Sequence, residues 1–191
     1  PMGLFRDVKL VVSGPIVLGD LFVNTKSLNP DGSATLGISG VVANFGKQDA
    51  SAALDLKIAP DNFTGDPIPL PRQSLTVHPG ENNFSAEVVV KTPQLWWTWD
   101  LGAQNLYKAT ATVAPSGGSA ETKDSVFGIR TIARKEDMSY WLNGKRLYLK
   151  GAWYPMGDYY GSKPTRETYE KDLELYRAAN LNHLVAFTVV E

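Results

Sequence analysis

The sequence predicts a mainly β protein in two parts, a β-sandwich followed by a hairpin and a strand–helix–strand unit. Up to residue 133, short runs alternate apolar and polar residues with a period of two, which is typical of half-buried strands. Turns rich in Gly and Pro separate these runs. From residue 134 the pattern changes to a hairpin signal, an amphipathic helix and a dense apolar run. We therefore divide the chain into residues 1–133 and residues 134–191.

Four alternating runs in the first part are strong strand candidates. They cover 34–42, 54–58, 84–90 and 107–113, and weaker candidates cover 8–13, 21–27, 74–78 and 120–127. The turn signals NPDGS, APDNFTGDP, HPGENN and APSGGS lie between them. Seven or eight strands over about 125 residues indicate a sandwich of immunoglobulin or fibronectin type. Because the chain has no cysteine, the disulfide-pinned core of an antibody domain is excluded.

The segment LWWTWDLG at residues 95–102 brings Trp96, Trp97 and Trp99 close together. Three exposed indole rings would suit stacking on the apolar faces of sugar rings. Alternatively, the rings pack under a loop or against a neighbouring part of the protein, and we favour this interpretation. Two adjacent tryptophans cannot both face the core of a regular strand. At least one ring is therefore expected at an interface or in an irregular turn.

The second part begins with a hairpin signal. Asn143-Gly144 suits a type I′ turn, because both residues tolerate positive φ. After a loop, Thr165 can cap a helix over 166–179, and Asn180 can end it. The apolar run at 184–190 is typical of a parallel strand buried on both faces. One such unit cannot bury its own faces, so we expect it to belong to a larger parallel sheet or barrel.

Composition argues against several classes of partner. A net charge of −1 and a pI near 6.2 give no basic patch for nucleic acid or an anionic membrane. With no cysteine and only two histidines, we expect no metal site and no cofactor. The amino terminus lacks the long apolar run of a signal peptide. The compartment stays open, with a periplasmic or secreted location of the parent protein slightly favoured.

Five segments together resemble the central region of glycoside hydrolase family 2, in the family's order and spacing. They are LFRDVKLVVSGP (4–15), LWWTWDLGAQNLY (95–107), FGIRTI (127–132), LNGKRLYLKGAWYP (142–155) and ANLNHLVAFTVVE (179–191). The β-mannosidase and exo-β-glucosaminidase branch is most similar, and β-galactosidases and β-glucuronidases are more distant. In this family a jelly-roll domain and an immunoglobulin-like sandwich precede a catalytic (β/α)₈ barrel. The resemblance thus implies an immunoglobulin-like sandwich at 1–133 and an incomplete barrel start at 134–191.

The resemblance implies retaining hydrolysis of terminal β-linked sugars. That chemistry needs two carboxylates about 5–5.5 Å apart, and the family's two Glu residues lie on later barrel strands. No residue of this chain matches either, so we assign no catalytic residue and expect the chain alone to be inactive. The implied partner is a β-linked oligosaccharide or glycoside, reached through a full-length protein that also has jelly-roll and barrel domains.

Three residues are candidates for substrate binding, because loops after barrel strands face the active site. Asp158 follows the first strand and either holds a substrate hydroxyl or is a solvated carboxylate. Trp153 and Tyr154 belong to the same loop, and packing is the favoured alternative for both. By resemblance, Asn182 is expected to be structural and Glu191 positional rather than catalytic.

Two departures from the family pattern bear on specificity. Val185 stands where relatives usually carry Arg, and Phe187 where chitosan-cleaving members carry an acidic residue. They put amino-sugar specificity in doubt, and with it the activity of the parent protein. The alternative function is a noncatalytic immunoglobulin-like carbohydrate-binding or adhesion module, suggested by the tryptophans. An immunoglobulin-like module of this kind is not expected to contain the amphipathic helix and the apolar strand predicted at 165–191.

Overall fold

The computed structural model of the chain describes Val8, Leu10, residues 12–154 and residues 165–186. Within these residues it contains thirteen strands and one helix. Their bounds are β1 (Ile16–Leu28), β2 (Ala34–Asn44), β3 (Ala50–Pro60), β4 (Ile68–Pro69), β5 (Gln73–Val77), β6 (Gly80–Val90), β7 (Tyr107–Pro115), β8 (Glu121–Phe127), β9 (Ile132–Arg134), β10 (Tyr140–Leu142), β11 (Lys145–Leu147), β12 (Gly151–Tyr154), α1 (Arg166–Ala178) and β13 (His183–Ala186). The protein is mainly β, as predicted.

The first eight strands form two antiparallel sheets that face each other across one hydrophobic core. One sheet has the order β1-β2-β6, and the other has the order β4-β3-β7-β8, with β5 also paired to β3. The four strong strand predictions correspond to β2, β3, β6 and β7. The weak candidate at 8–13 is wrong for its described residues, because Val8, Leu10 and Val12 lie outside any strand and are exposed.

Alternation places one face of each sandwich strand in the core. In β7, Tyr107, Ala109, Ala111 and Val113 are buried, whereas the residues between them are only half-buried. The largest fully buried side chains are Leu36, Leu54, Ile58, Ile129, Leu142, Val42, Val77 and Val113. Burying each of the larger ones stabilises the fold by roughly 1.5–3 kcal/mol relative to exposure. The core thus binds the two sheets together.

A small sheet with the order β11-β10-β9 follows the sandwich. Its turn has Asn143 at φ 50° and Gly144 at φ 77°, which is the positive-φ pair of a type I′ turn. The predicted hairpin is therefore confirmed. The proposed division after residue 133 falls inside β9, which pairs with β10.

The last elements form a strand–helix–strand unit. β12 and β13 are parallel and pair Gly151 with His183 and Trp153 with Val185. Thr165 caps α1, since its Oγ1 accepts a hydrogen bond from the Thr168 amide at 3.3 Å. In the part of the chain that the structure describes, this helix is too short and too polar to span a membrane.

Burial in this unit differs from the prediction. Val185 is 38 % exposed, although the apolar run was expected to be buried on both faces. The reason is that β13 pairs with β12 alone among the described residues. The end of the predicted strand, from Phe187 on, lies outside the described residues.

Candidate functional site

Of the three residues predicted to bind substrate, the structure describes Trp153 and Tyr154. Asp158 lies outside the described residues, as does Glu191. Trp153 and Tyr154 are consecutive in β12, and successive side chains of a strand point to opposite faces. They therefore cannot line one surface together.

Tyr154 faces α1. Its hydroxyl donates a hydrogen bond to Asp172 Oδ2 at 2.8 Å, and its ring lies 5.9 Å from Tyr176 and 6.1 Å from Tyr169 between centroids. Desolvation, followed by the hydrogen bond to Asp172, raises the pKa of Tyr154 to about 12. The geometry assigns this side chain to packing of the helix on the strand, and its contact with sugar stays a prediction.

Trp153 lies on the opposite face of β12, the face without a helix, and is 63 % exposed. The parallel register places Gly151, His183 and Val185 on the same face. A Cβ at Gly151 would lie 2.6 Å from His183 Nδ1, so glycine makes room for the imidazole. In a (β/α)₈ barrel, the face away from the helices is the interior. Trp153 and Val185 therefore lie on the face of the β12–β13 sheet that α1 does not cover.

The tryptophan segment, residues 95–102, is packed instead of forming an open platform. Trp96 is half-buried, its amide donates to Ile129 O at 2.9 Å, and the Arg130 guanidinium lies 4.5 Å from its ring centroid. The Trp97 ring is half-buried beside Gly102, where a Cβ would lie 3.0 Å from Cγ and Cδ1 of the indole. These contacts support packing over sugar stacking for the two adjacent rings.

The tryptophan segment also holds the hairpin. Asn143 donates from Nδ2 to Trp96 O, and its Oδ1 accepts from the Thr131 amide, each at 2.9 Å. The Asn143 amide in turn donates to Thr131 O at 2.9 Å. One turn residue thereby joins the end of the sandwich, the tryptophan segment and the hairpin.

A second set of contacts, which we call the junction cluster, comprises Trp99, Asp100, Lys150, Leu181 and Asn182. Trp99 Nε1 donates to Leu181 O at 2.8 Å. Asp100 Oδ2 accepts from Asn182 Nδ2 at 2.9 Å and lies 3.1 Å from Lys150 Nζ. The Lys150 amide donates to Asn182 Oδ1 at 2.9 Å. The tryptophan segment is therefore bound to the residues that precede β12 and β13.

The junction cluster is partly shielded from water, with the side chains of Asp100 and Lys150 18 % and 28 % exposed. Burial raises the pKa of Asp100, but the surrounding polar groups outweigh it and hold this pKa below its usual value. The buried Thr98 hydroxyl makes no hydrogen bond among the described residues. We therefore attribute the lower pKa of Asp100 to the Asn182 amide, the Lys150 ammonium and the backbone N–H of Asp100.

Sequence reasoning missed Asp100 and Lys150, and it expected Asn182 to be structural. The one available signal was that a shielded indole needs a partner for its N–H. The partner carbonyl lies 82 residues further along the chain and could not be read from the segment.

Among the described residues, no group of three or more His, Asp or Glu side chains is placed to hold a metal ion. The cluster can bind and position the chain, and it contains no pair of carboxylates.

Fold and junction together define the class of the chain, an antiparallel β-sandwich with one loop bound to the residues that precede a parallel strand–helix–strand unit. Residues 16–130, more than half of the chain, match the family model described as Glycosyl hydrolases family 2. The chain belongs to this family, and the resemblance drawn from its motifs is confirmed.

Relatives agree with this assignment. The chain is 23 % identical to an exo-β-D-glucosaminidase of Hypocrea jecorina over 159 residues, which cover 80 % of this chain and 18 % of that protein. The solved β-D-mannosidase of Dictyoglomus thermophilum is similar with a TM-score of 0.77 and 22 % identity, over 89 % of this chain and 21 % of that one. A family 2 member of Bacteroides cellulosilyticus has a TM-score of 0.77 and 25 % identity, over 90 % and 23 %. The chain thus spans about a fifth of these relatives.

Proposed function

We propose that this chain is the immunoglobulin-like sandwich, residues 1–133, and the barrel start, residues 134–191, of a retaining hydrolase that acts on terminal β-linked sugars. In that protein it positions the catalytic barrel and contributes neither of the two catalytic glutamates. Chemistry would require the family's jelly-roll and barrel domains and a β-linked oligosaccharide or glycoside as substrate.

The parallel β12–α1–β13 unit carries this proposal. Family 2 membership rests on residues 16–130, whereas this unit lies beyond them and has the strand–helix–strand form from which a (β/α)₈ barrel is built. In the described part of the chain no residue of α1 is buried, and Leu173 and Leu175 are exposed. Exposed apolar groups of this kind are consistent with further elements that cover them.

Hydrolysis assays of the 191-residue chain test the supporting role. We expect no release of p-nitrophenol from the p-nitrophenyl β-D-mannoside, β-D-glucosaminide or β-D-galactoside beyond the buffer rate. Turnover that is abolished by boiling and retained through purification would overturn the proposal. The coding sequence beyond Glu191 gives a second test, because two further glutamates are expected at the ends of later barrel strands.

A noncatalytic carbohydrate-binding module is the competing function. The half-buried state of Trp96, Trp97 and Trp99 argues against it, because these rings lie against Arg130, Gly102 and Leu181 of the chain itself. A tryptophan-fluorescence titration with mannose, glucosamine and galactose oligosaccharides separates the two functions. We expect no saturable change, and saturable binding to the chain alone would favour the module.

Within the proposed enzyme, Asp158 and Trp153 are proposed to line the sugar pocket, with Trp153 better supported than Tyr154. In the full-length protein, Trp153→Ala should raise KM. Tyr148→Ala is a matched control, since Tyr148 is an aromatic residue that is 81 % exposed and precedes β12. Equal KM values for both variants would remove Trp153 from the pocket.

A further inference from the structure

Two consecutive residues of one sandwich loop, Trp99 and Asp100, contact the segments that lead into two neighbouring parallel strands. We propose that this turn is a positioning latch, which fixes where β12 and β13 begin and couples the strand–helix–strand unit to the sandwich. The inference goes beyond the proposed function, because it concerns how the two parts are held and applies whichever sugar the parent protein cleaves.

The contacts of the latch are made with the residues that directly precede the first paired residues of β12 and β13. Lys150 and Asn182 directly precede Gly151 and His183, the first residue pair of the parallel ladder. Asp100 Oδ2 contacts both of these side chains, and Asn182 Nδ2 also donates to Tyr148 O at 3.1 Å. A slip of one residue in either strand would move Lys150 or Asn182 out of reach of the carboxylate.

An external latch matters because the ladder is short. β12 and β13 contain four residues each and pair only with one another in the described part of the chain. An isolated pair of strands is marginally stable in water. A one-residue slip would also exchange the two faces of a strand, and Val185 would then turn toward α1. The contacts from the sandwich therefore help to determine the register of β12 and β13, which four residue pairs alone would determine only weakly.

The latch lies at the opposite end of the strands from the predicted sugar-binding residues. Lys150 and Asn182 lie at the amino-terminal ends of β12 and β13, whereas Asp158 follows the carboxyl end of β12. In (β/α)₈ barrels, chemistry occurs at the carboxyl ends of the strands and the amino ends contribute stability. Asp100 is accordingly a positioning residue and not a catalytic one.

The charged groups and the imidazole around the latch come from three parts of the unit. Lys150 precedes β12, Arg177 of α1 lies 5.5 Å from the Trp99 ring centroid, and His183 of β13 lies over Gly151. Protonation of Asp100 would remove the only negative charge among these groups. Folding lowers the pKa of Asp100. The stabilisation of the folded state by this carboxylate is therefore complete above the usual pKa near 3.8. It is lost as pH falls through the lower folded-state value.

Amide hydrogen exchange of the 191-residue chain tests the latch. Asp100→Asn removes the charge at nearly constant side-chain size, and Trp99→Phe removes the indole N–H together with one ring. Asp20→Asn is the matched control for charge, because Asp20 is fully exposed and lies 3.3 Å from Lys123 Nζ. Trp141→Phe is the matched control for the indole, because Trp141 Nε1 donates only locally, to Ser139 Oγ at 2.8 Å.

We expect Asp100→Asn and Trp99→Phe to reduce the protection factors of β12, α1 and β13 by roughly tenfold, with β3 and β7 unchanged. Both controls should leave all these factors unchanged. In the native chain, protection of β13 relative to β7 should also fall below pH 3.8, and Asp100→Asn should reduce this dependence. Unchanged protection of β13 in both latch variants, or a pH dependence as large in Asp100→Asn as in the native chain, would overturn the proposal.

Discussion

Replacing Gly128 with alanine is expected to destabilise the sandwich at the tryptophan segment. A Cβ at this position would lie 2.7 Å from Cβ, 2.8 Å from Cγ and 2.9 Å from Cδ1 of Trp96. Ordinary carbon contacts are about 3.5–4.0 Å, so each distance must open by about 0.6 Å or more. A rotamer change cannot relieve the contact with Cβ, since that atom moves only with the backbone.

The backbone of Trp96 is held on both sides. Its amide donates to Ile129 O and its carbonyl accepts from Asn143 Nδ2, each at 2.9 Å. Inserting a methyl group into a packed site typically costs about 1–3 kcal/mol. Alanine also lowers the conformational entropy of the unfolded chain, which stabilises the folded state by about 0.4–1 kcal/mol. We therefore expect Gly128→Ala to lower the free energy of unfolding by about 1–2 kcal/mol.

Urea unfolding followed by far-UV circular dichroism measures this free energy. Gly117→Ala is the matched control, because a Cβ at Gly117 meets no atom within 4 Å. Its free energy of unfolding should stay within about 0.5 kcal/mol of the native value or rise slightly. If Gly128→Ala is as stable as Gly117→Ala with the same dependence on urea, the close contact with Trp96 does not constrain the fold.

Three further predictions use the same chain. Asn143→Ala removes two hydrogen bonds and puts alanine at φ 50°, so it should cost about 2 kcal/mol in urea unfolding. Asn143→Gly should cost less, and equal costs would exclude a contribution from φ. Leu54→Ala empties a fully buried site and should cost about 2–5 kcal/mol, and a loss below about 1 kcal/mol would contradict that core. Tyr154 has a folded-state pKa of about 12, above the ordinary 10.0. The contribution of its neutral hydroxyl to the free energy of unfolding is therefore complete below pH 10 and lost as pH rises toward 12. Tyr154→Phe should remove one late-ionising tyrosine from an absorbance titration, and an unchanged curve would contradict the raised pKa.

Local signals in the sequence were sufficient for most of the sandwich. Alternation at 34–42 and 107–113 predicted β2 and β7, because a half-buried strand needs only its own period of two. Asn143-Gly144 predicted its turn, because positive φ is a property of the residues themselves. The helix prediction over 166–179 was one residue longer than α1, since helix ends depend on caps.

The candidate site was less accessible to sequence reasoning. Trp153 and Tyr154 were grouped by their position in the chain, but the strand places them on opposite faces. Only the packing of α1 decided which of the two faces the helix, through the hydrogen bond from Tyr154 to Asp172. Packing was favoured for Trp96, Trp97 and Trp99, but the partners of these rings could not be predicted from a segment that follows no regular period.

By itself, the sequence determined the family, the sandwich strands and the hairpin, because these depend on motifs and on patterns within a few residues. The tertiary structure decided that Trp99 and Asp100 hold the start of the parallel unit. Their partners, Leu181 and Asn182, lie 82 residues away in the sequence. A polar group removed from water must find a hydrogen-bond partner, but local sequence does not say which distant group that is. The packing of the whole chain makes that choice.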